Sequence, residues 1–348
     1  MKTLSADRPA APISELPRDN EGFQRVAEPY RRELLLHCYR FMGSIHDSED
    51  LVQETFLRAW RGVGKFEGRT SVKNWLYRIA TNACLNALAR RAKARRLLPE
   101  DISRPATRML KGSPSTEIPW LEPYPDSEMP EVVDTSPSPS GRYEVRDTVR
   151  LAFIAATQRL PPRQRAVLLL RDVLGWSANE TSKTLHTSVA STNSALQRAR
   201  GTLERRLSAE EIGKQDPLPS REQSLADRYA QAWEDGDLDR LVELLTKDAT
   251  LSMPPWRQWY QGRSQIASFL GWAFDWVWHR RRRTFRFVAT RANGQHAFGE
   301  YIRRRGEKRF HAHALHLLTF KKRGIHRLTV FIDAGLFPKF GLRETLNA

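Results

Sequence analysis

An acidic stretch rich in proline and serine divides the chain and limits how it can fold. Residues 99–140 carry 8 acidic and 3 basic side chains. The flanking segments are basic, since residues 21–98 hold 15 basic and 8 acidic side chains and residues 141–215 hold 13 and 7. Proline and serine at this density disfavour helix and strand interiors. We therefore expect residues 99–140 to form an extended linker between two separately folded segments.

A second break, at Pro217 and Pro219, precedes the last third of the chain. Residues 221–348 are again basic, with 23 basic and 13 acidic side chains. A chain of 348 residues has room for two or three domains, so we expect a third domain here. The formal net charge of +17 favours a polyanionic partner, and nucleic acid is the first candidate.

The cysteine count and the hydropathy pattern exclude several protein classes. Cys38 and Cys84 are the two cysteines, and their separation gives neither a disulfide framework nor a cysteine zinc site. No stretch approaches the roughly 20 apolar residues of a membrane span. The first residues lack the apolar core of an export signal. We expect a protein of the reducing cytoplasm with no membrane contact.

The first basic segment is predicted to be helical, with one helix capped by Asp47. Apolar side chains recur at helical spacing on one face of that helix: Val52, Phe56, Ala59 and Val63. The opposite face carries Asp50, Gln53, Glu54 and Leu57. A leucine among polar side chains suits a protein-binding surface, although single exposed leucines are also common.

The next predicted helix begins in a cluster of aromatic, basic and amide side chains. These are Phe66, Arg69, Lys73, Asn74, Trp75, Tyr77, Arg78 and Asn82. Aromatic rings stack on unpaired bases while cations follow the phosphate backbone, so this mixture suits single-stranded or opening DNA. The other interpretation places Trp75 in the core and leaves the cations on a solvated face.

The third segment, 141–215, ends in a helix-turn-helix pattern. Ser177 and Glu180 form a capping-box sequence, and a tight turn near His186 leads to a longer helix from Val189 to about Leu207. The polar side chains of that second helix are Ser191, Asn193, Ser194, Gln197, Arg198 and Arg200. Asparagine and glutamine pair with adenine, and arginine pairs with guanine or phosphate. A plain helical hairpin with a solvated face has the same spacing.

Four motifs, in order along the chain, resemble the extracytoplasmic-function group of bacterial sigma factors. Two resemble sigma region 2, namely DSEDLVQETFLRAW from Asp47 and WLYRIATN from Trp75. Two resemble region 4, namely LPPRQR from Leu160 and LQRAR from Leu196. The resemblance covers residues 21–210. It implies two all-α domains, region 2 over 21–98 and region 4 over 141–210.

The resemblance also implies roles for the three polar surfaces. The face with Asp50, Gln53, Glu54 and Leu57 would bind the clamp helices of core RNA polymerase, formed by its beta and beta-prime subunits. The segment from Phe66 to Asn82 would melt and read the −10 element, and the helix from Val189 would read the −35 element. The linker, with Trp120 as a subgroup feature, would run toward the polymerase active centre. Family members commonly carry more basic residues where this chain has Asn193 and Ala195, so no sequence preference is carried over.

The last third predicts helices followed by a curved antiparallel sheet. Amphipathic helices are expected from Leu225 to Leu245 and from Gly262 to Leu270. Strands are expected at 284–289, 297–303, 312–320 and 327–332. The turn at Met253, the sequence YQGR from Tyr260, and Asp333 resemble the SnoaL-like, NTF2-like cone. The implied third domain, 221–348, is therefore α+β.

A cone of this kind encloses a pocket, for which the sequence offers aromatic lining and an acid. The candidate lining residues are Trp256, Trp259, Tyr260, Trp272, Trp276 and Trp278. Asp248 or Asp333 would be the general base of a catalytic pocket. The alternative is an aromatic core without chemistry. Strand alternation places His311 and His313 on one face and His316 on the other, which argues against a three-histidine metal site.

These observations together predict an alternative sigma factor that binds core polymerase and promoter DNA, opens the start site and acts in the cytoplasm at the nucleoid. We expect no cofactor, no metal and no covalent chemistry, and a C-terminal domain that regulates activity through its tethering. Two alternatives remain. One is a helix-turn-helix regulator that binds DNA without polymerase. The other is a bifunctional protein whose last domain is an enzyme or binds a small-molecule ligand.

Overall fold

The computed structural model describes residues 16–90, 95–107, 113–130, 147–207, 219–275, 283–321 and 324–347. It contains two helical bundles followed by an α+β domain, so the predicted multidomain fold class is confirmed. Among the described residues, no helix is long and apolar enough to cross a membrane.

The first bundle consists of four helices, α1 (Asn20–Ala27), α2 (Arg31–Met42), α3 (Ile45–Gly62) and α4 (Val72–Arg90). Its core contains the fully buried side chains of Leu34, Leu36, Tyr39, Phe41 and Leu76. Gly43 ends α2 with a φ of +66°, a left-handed conformation that glycine adopts without strain. This sharp end lets α2, α3 and α4 pack against one another.

The cap of α3 differs from the prediction. Helix α3 begins at Ile45, and Ser44 caps it by accepting a hydrogen bond from the Asp47 backbone N–H at 3.2 Å. The predicted cap, Asp47, lies in the first turn instead, where its carboxylate pairs with Arg96 at 2.8 Å. Serine caps as well as aspartate does, and an aspartate in the first turn stabilises the helix dipole, so both positions fit the sequence.

The second bundle contains the predicted helix-turn-helix. Its helices are α5 (Leu151–Gln158), α6 (Pro162–Leu168) with a π-helical continuation (Leu169–Val173), α7 (Ala178–Thr184) and α8 (Val189–Glu204). The capping box is confirmed, since Ser177 and Glu180 exchange side-chain to backbone hydrogen bonds at 3.1 and 2.8 Å. His186, at a φ of +49°, makes the tight turn between α7 and α8.

The third domain packs three helices on a mixed sheet. The helices are α9 (Pro219–Asp235), α10 (Leu238–Glu243) and α11 (Arg263–Phe274). The strands are β1 (Leu245–Ser252), β2 (Trp259–Gln261), β3 (Thr284–Ala292), β4 (Gln295–Arg303), β5 (Arg309–Lys321), β6 (Gly324–Phe331) and β7 (Thr345–Asn347). The strand order is β2-β1-β6-β5-β4-β3, and β7 pairs with the start of β5.

The sheet differs from the predicted one at its edges. The four predicted strands are present as β3 to β6, each longer than expected. Strand β1 was not predicted from the sequence. Leu244 and Leu245 continue the helical spacing of apolar residues in α10, so the change to the two-residue alternation of a strand is not visible there. Strand β1 runs parallel to β6, so the sheet is mixed and not wholly antiparallel. A strand far away in sequence can join in either direction, and spacing does not reveal which.

Residues 95–107 and 113–130 lie folded against all three domains, so these parts of the predicted linker are not extended; residues 108–112 and 131–140 of it lie outside the described residues. Glu122 accepts from the Ser44 hydroxyl and the Ile45 N–H of the first bundle at 2.9 and 3.0 Å. Asp101 pairs with Arg159 of the second bundle. The Ala106 N–H donates to the Trp259 carbonyl of the third domain at 2.7 Å. Buried backbone groups need partners, and these contacts provide them.

The linker tryptophan also has a structural explanation. Trp120 donates its indole N–H to the Ser115 carbonyl at 2.9 Å, and its own carbonyl accepts from Arg96 at 2.8 Å. Trp120 and Leu97 also form an isolated parallel β-bridge. The linker is thus paired through its backbone with the segment that follows the first bundle.

The turn between β3 and β4 joins all three domains. Its two residues, Asn293 and Gly294, have φ angles of +55° and +68°, which is the hairpin geometry that an Asn-Gly sequence favours. The fully buried Asn293 side chain donates to the Tyr39 hydroxyl at 3.0 Å and to the Val149 carbonyl at 2.7 Å. Its side-chain oxygen accepts from the Tyr124 N–H at 2.9 Å. One amide thus connects the first bundle, the second bundle and the linker.

The two helical bundles also contact each other directly. Arg40 of α2 donates to the Thr148 hydroxyl at 2.6 Å. Arg165 of α6 is buried and donates to the Phe41 carbonyl, and burial lowers the pKa of Arg165 to about 9. Apolar side chains of the sheet, among them Leu315 and Leu317, belong to the same buried core as the bundles. The described domains therefore form one closed arrangement.

Candidate functional sites

The polar face of α3 is exposed to solvent at its apolar centre, Leu57. Leu57 is 50% exposed, and Asp50 and Gln53 are exposed beside it. Glu54 is half-buried and pairs with Arg58 at 2.5 Å. The opposite face buries Leu51, Val52, Thr55 and Ala59. The four residues predicted to bind polymerase thus lie together on one surface, exposed around Leu57.

The aromatic and basic cluster before α4 forms a cavity of about 390 Å³. The half-buried Trp75 ring packs on Phe66 with ring centroids 5.2 Å apart, while Arg69 and Arg78 are exposed at the rim. Asn82 also lines the cavity, and Asn74 is half-buried in the first turn of α4. An aromatic floor with a cationic rim suits a base and its phosphate.

Two residues predicted to contact the −10 element are turned away from this cavity. Tyr77 is 4% exposed, its ring packs edge-on against His37 at 4.9 Å, and its hydroxyl donates to Glu33 at 3.1 Å. Burial raises the pKa of Tyr77 well above its usual value. Lys73 pairs with the same Glu33 at 2.6 Å. The prediction was therefore wrong for Tyr77, which is a core residue.

Helix α8 exposes most of its predicted DNA-reading side chains. Ser191, Asn193, Ser194, Gln197 and Arg198 are all exposed. The other face buries Thr192, Ala195, Leu196, Ala199 and Leu203. Ser188 caps the helix by accepting from the Ser191 N–H at 3.1 Å. Amide and guanidinium groups of the kind that can pair with base edges thus lie along one accessible helix face.

Arg200 is half-buried, and its guanidinium is engaged within the second bundle. Its guanidinium binds Asp172 in two-point fashion, at 2.9 and 2.6 Å. Asp172 is 1% exposed, so Arg200 balances a buried charge. The prediction for Arg200 missed this pairing, because a helical net shows which direction a residue faces but not which neighbour it meets.

The residues predicted for the C-terminal pocket lie elsewhere. Trp259 donates its indole N–H to the linker carbonyl of Ser103 at 2.9 Å, and Tyr260 stacks on Phe269 at 4.4 Å. Trp256 is half-buried in the turn after Met253. Trp272 is 39% exposed on α11. Trp276 and Trp278 lie outside the described residues.

Both candidate bases are also away from a pocket. Asp333 is exposed and accepts from the Gly335 N–H at 2.8 Å, so it caps the helical turn 334–340. Asp248 is exposed on β1, and the Thr246 hydroxyl that donates to it at 2.9 Å lowers its pKa. Neither carboxylate lines the cavity of the third domain.

A cavity lies in the third domain, but its lining residues are not the ones that the sequence predicted. It encloses about 130 Å³ between α9, α11 and the sheet, with aromatic and aliphatic walls that include Trp233, Phe285 and Leu328. Its polar residues are Arg283, Glu300, His313 and His316. The sequence did contain one indication of this cavity. Glu300 is two residues from both Phe298 and Ile302, so in a strand all three side chains lie on the same, inward-facing side.

A chain of hydrogen bonds runs along the wall of this cavity. His316 is 2.7 Å from the Tyr229 hydroxyl through Nδ1 and 2.9 Å from Glu300 Oε2 through Nε2. His313 reaches the same carboxylate oxygen through Nδ1 at 3.2 Å. Glu300 is 5% exposed, and its two histidine partners satisfy a charge that burial alone would penalise.

A β-bulge brings the two histidines to one face. Strand β4 pairs Glu300 with Ala314 and Tyr301 with Ala312, so His313 is the extra residue on β5. The predicted alternation, which separated His313 from His316, was therefore wrong. His311 is exposed on the same strand. Within the described ranges, no three His, Cys, Asp or Glu side chains are arranged to hold a metal ion.

The two charged members of the cluster stabilise each other. Burial acts to raise the pKa of Glu300, but His313 and His316 together lower it well below its usual range. Burial acts to lower the pKa of His313, but Glu300 raises it above 6.5 overall. Each charge of the pair thus favours the ionised form of the other.

Three family models match these three structural units. Sigma-70 region 2 matches residues 26–94, sigma-70 region 4 matches residues 150–203, and a SnoaL-like domain matches residues 226–328. The fold and the two exposed helical surfaces define a sigma factor of the sigma-70 type with a C-terminal SnoaL-like domain.

Sequence relatives narrow this class. The chain is 43% identical to the ECF RNA polymerase sigma factor SigG of Mycobacterium tuberculosis, over 93% of this chain and 85% of the relative. It is 27% identical to the RNA polymerase sigma-H factor of Pseudomonas aeruginosa, over 54% of this chain and 88% of the relative. The chain belongs to the extracytoplasmic-function sigma factors and is an alternative sigma factor that directs transcription initiation.

One solved structure shares the overall architecture. The crystal structure of the extracytoplasmic function sigma factor SigJ of Mycobacterium tuberculosis aligns with a TM-score of 0.56 and 19% sequence identity. The alignment covers 92% of this chain and 99% of that one. At this identity the likeness concerns the fold, and it extends through all three domains.

The arginine pair on α8 gives a direct test of the corrected assignment. We expect Arg200→Ala to lower the free energy of unfolding by about 2–3 kcal/mol, because it leaves the buried Asp172 carboxylate unpaired. Arg198→Ala, two residues earlier and exposed, is expected to change it by less than about 0.5 kcal/mol. Denaturant unfolding of both variants measures this, and equal effects would contradict the assignment.

The Glu300–His313 pair predicts a pH dependence of stability. Because the pKa of His313 is raised above 6.5 in the folded state, its contribution is fully present below pH 6.5 and is lost as pH rises through the raised value. The melting temperature of the wild type should therefore exceed that of His313→Gln most at acidic pH, with the gap shrinking toward alkaline pH. His311→Gln, exposed on the same strand, is the control and should show no such trend.

Proposed function

We propose that the exposed face of α3, centred on Leu57, is the surface that binds the beta and beta-prime clamp of core RNA polymerase. An apolar side chain ringed by Asp50, Gln53 and Glu54 has the composition of a protein-binding anchor with a polar rim. It lies on the far side of α3 from its own core, so a partner can reach it without unfolding the bundle.

The same proposal assigns the two DNA surfaces. The cavity floored by Phe66 and Trp75, with Arg69, Arg78 and Asn82 at its edge, takes an unpaired base of the −10 element. The exposed face of α8 enters the major groove of the −35 element, with Ser191, Asn193, Ser194, Gln197 and Arg198 near bases or phosphates. Asn74 extends the first surface at the start of α4, whereas Lys73 pairs with Glu33 outside the cavity.

One observation supports a regulated function: the two DNA surfaces are on bundles that contact each other. The −10 and −35 elements lie about 25 base pairs apart, or roughly 85 Å of DNA axis at 3.4 Å per base pair. The bundles here are joined through Arg40 and Thr148 and through Arg165 and the Phe41 carbonyl. We infer that this closed state is inactive and that the bundles separate on polymerase.

The C-terminal domain and the linker would hold the closed state. Asn293 bridges both bundles and the linker, and Lys339 pairs with Glu49 of α3 at 2.5 Å, next to the proposed polymerase surface. Tethering through the same chain gives these contacts a high effective concentration. The domain thus regulates initiation from within the molecule, and a small-molecule ligand of its cavity would be the natural signal.

We further propose that the third domain is not an enzyme. The exposed positions of Asp248 and Asp333 support this, as does the buried Glu300, whose charge is already matched by His313. A general base needs a carboxylate free to accept a proton in the pocket. The protein would act in the cytoplasm at the nucleoid, where its promoter DNA lies.

Replacing the apolar centre of the α3 face tests the polymerase surface. We expect Leu57→Asp to weaken binding to core RNA polymerase about tenfold to hundredfold, because it buries a charge in an apolar contact. Ile102→Asp is the matched control, since Ile102 is 37% exposed but lies in the linker. Binding of both variants to purified core enzyme is measured by titration with a fluorescent label. If Leu57→Asp binds normally, a helix-turn-helix regulator that acts without polymerase becomes the better interpretation.

Removing the Asn293 side chain tests the closed state. Asn293→Gly keeps the positive φ of the turn but deletes the three side-chain hydrogen bonds, each worth about 1 kcal/mol when its partner stays buried. We expect a larger distance between the helical bundles by small-angle scattering and about tenfold more transcript per polymerase in vitro.

The control for the turn variant is Asn347→Ala, an exposed asparagine on β7 of the same domain. It should change neither the scattering profile nor the transcript yield. If Asn293→Gly opens the molecule without raising transcription, the closed state is structural and not inhibitory.

A further inference from the structure

Six basic side chains of the third domain lie at one end of its sheet. Five come from the turn between β4 and β5, where the sequence reads RRRGEKR, and the sixth comes from the adjacent strand β3. The six are Arg286, Arg303, Arg304, Arg305, Lys308 and Arg309. All are exposed except Arg303, which is half-buried. We call this set the basic surface.

Most of the positive charge of the basic surface is not balanced. No ion pair joins any of the six side chains to a carboxylate of the residues that the structure describes. The one acid of the turn, Glu307, accepts a hydrogen bond from the Arg304 backbone N–H at 3.0 Å and so closes the turn. Arg343 and Glu344 precede the edge strand β7 and add one charge of each sign. An excess of positive charge therefore faces solvent.

Phe310 holds two of the guanidinium groups in place. The Cζ atoms of Arg286 and Arg303 are each 4.8 Å from the centre of its ring, and the ring is buried. Arg303 Nε also donates to the Thr284 hydroxyl at 3.3 Å, and Arg286 donates to the Asn347 carbonyl at 3.3 Å. A ring and neutral acceptors position a cation without neutralising it. Less side-chain freedom is then lost when an anion binds.

The strand register places these two arginines on one face of the sheet. Arg286 pairs with Tyr301 and Arg303 pairs with Thr284, so the two arginines are diagonal neighbours on adjacent strands. The cavity of the third domain lies on the other face, which Phe285 lines. The basic surface is therefore separate from that cavity.

The basic surface is also far from the joint between the domains. Strand β4 has nine residues, with the Asn293 turn before its first residue and the basic turn after its last. Nine residues of strand span roughly 30 Å at about 3.3 Å each. The Asn293 turn contacts both helical bundles, whereas the basic turn at the other end is exposed. The closed arrangement thus leaves the basic surface open to a partner.

The chemistry of the basic surface suits phosphate groups. Guanidinium groups donate paired hydrogen bonds to phosphate oxygens, and lysine adds a point charge. Surfaces that bind single strands also present aromatic rings to the unpaired bases. Here the ring of Phe310 is 4% exposed, so it offers no stacking platform. These features favour contact with the backbone of a duplex over contact with bases.

We propose that the basic surface binds the phosphate backbone of duplex DNA and gives the third domain a sequence-independent DNA contact of its own. The same chain carries two sigma-70 regions, so tethering would keep the surface at high local concentration near promoter DNA. This contact is additional to the surfaces on α4 and α8. It does not depend on the closed state being inactive.

Titration of the full-length protein with a short labelled duplex of mixed sequence, followed by fluorescence anisotropy, tests the proposal. The triple variant Arg304→Gln, Arg305→Gln, Lys308→Gln removes three exposed charges of the turn. We expect it to bind about tenfold more weakly at moderate salt. The slope of log affinity against log salt concentration should become shallower by about 2 to 3, because each phosphate contact contributes about 0.9.

The matched control removes three exposed charges elsewhere in the same domain. It carries Arg221→Gln and Arg228→Gln on α9 and Lys247→Gln on β1, and it should bind the duplex as the wild type does. Equal losses in the two triple variants would indicate an effect of net charge and overturn the site. Thermal melting shows whether each variant is folded, and Arg286→Gln, which leaves the turn intact, provides the test should the turn variant not fold.

Parallel titrations identify the class of partner. The turn variant and the wild type are also titrated with a single strand of the same length and with vesicles of phosphatidylcholine and phosphatidylserine. A loss of affinity that is larger for the duplex than for the other two supports the proposal, and an equal or larger loss for either of them overturns it. Unchanged duplex binding also overturns it, even if Arg198→Ala on α8 weakens promoter binding, so this outcome is distinct from failure of the α8 surface.

Discussion

The buried Asn293 amide is the contact on which the closed arrangement depends. Its donors and acceptor are satisfied only when Tyr39, Val149 and Tyr124 are all in place. Separation of any of these elements leaves a polar group without its partner until water replaces it, so the contact favours one arrangement of three domains over many. Because water can replace each bond at modest net cost, the same contact is reversible.

Apolar and polar contacts both join the domains. One buried cluster of aliphatic and aromatic side chains runs through both bundles and one face of the sheet. Polar contacts supplement it: Arg40 with Thr148 and Arg165 with the Phe41 carbonyl between the bundles, and Lys339 with Glu49 between the third domain and α3.

Much of the fold followed from local patterns. The capping box at Ser177, the polar face of α8 and the inner strands β3 to β6 agree with their predicted positions, because each depends on neighbours within a few residues. The errors share a different cause. Tyr77 meets Glu33, Arg200 meets Asp172 and Trp259 meets Ser103, and each partner is distant in the chain. A face can be predicted from spacing, whereas the neighbour across it cannot.

The sequence by itself determined the family, the two helical DNA-reading domains, the α+β character of the last domain and the exposed surface around Leu57. Periodicity and local motifs encode these features within single elements. Only the tertiary structure decided that the linker is folded, that a bulge at His313 completes a cavity with Glu300, and that Asn293 joins the domains. Those features arise where segments far apart in the chain satisfy one another's buried polar groups, and no single segment carries that information.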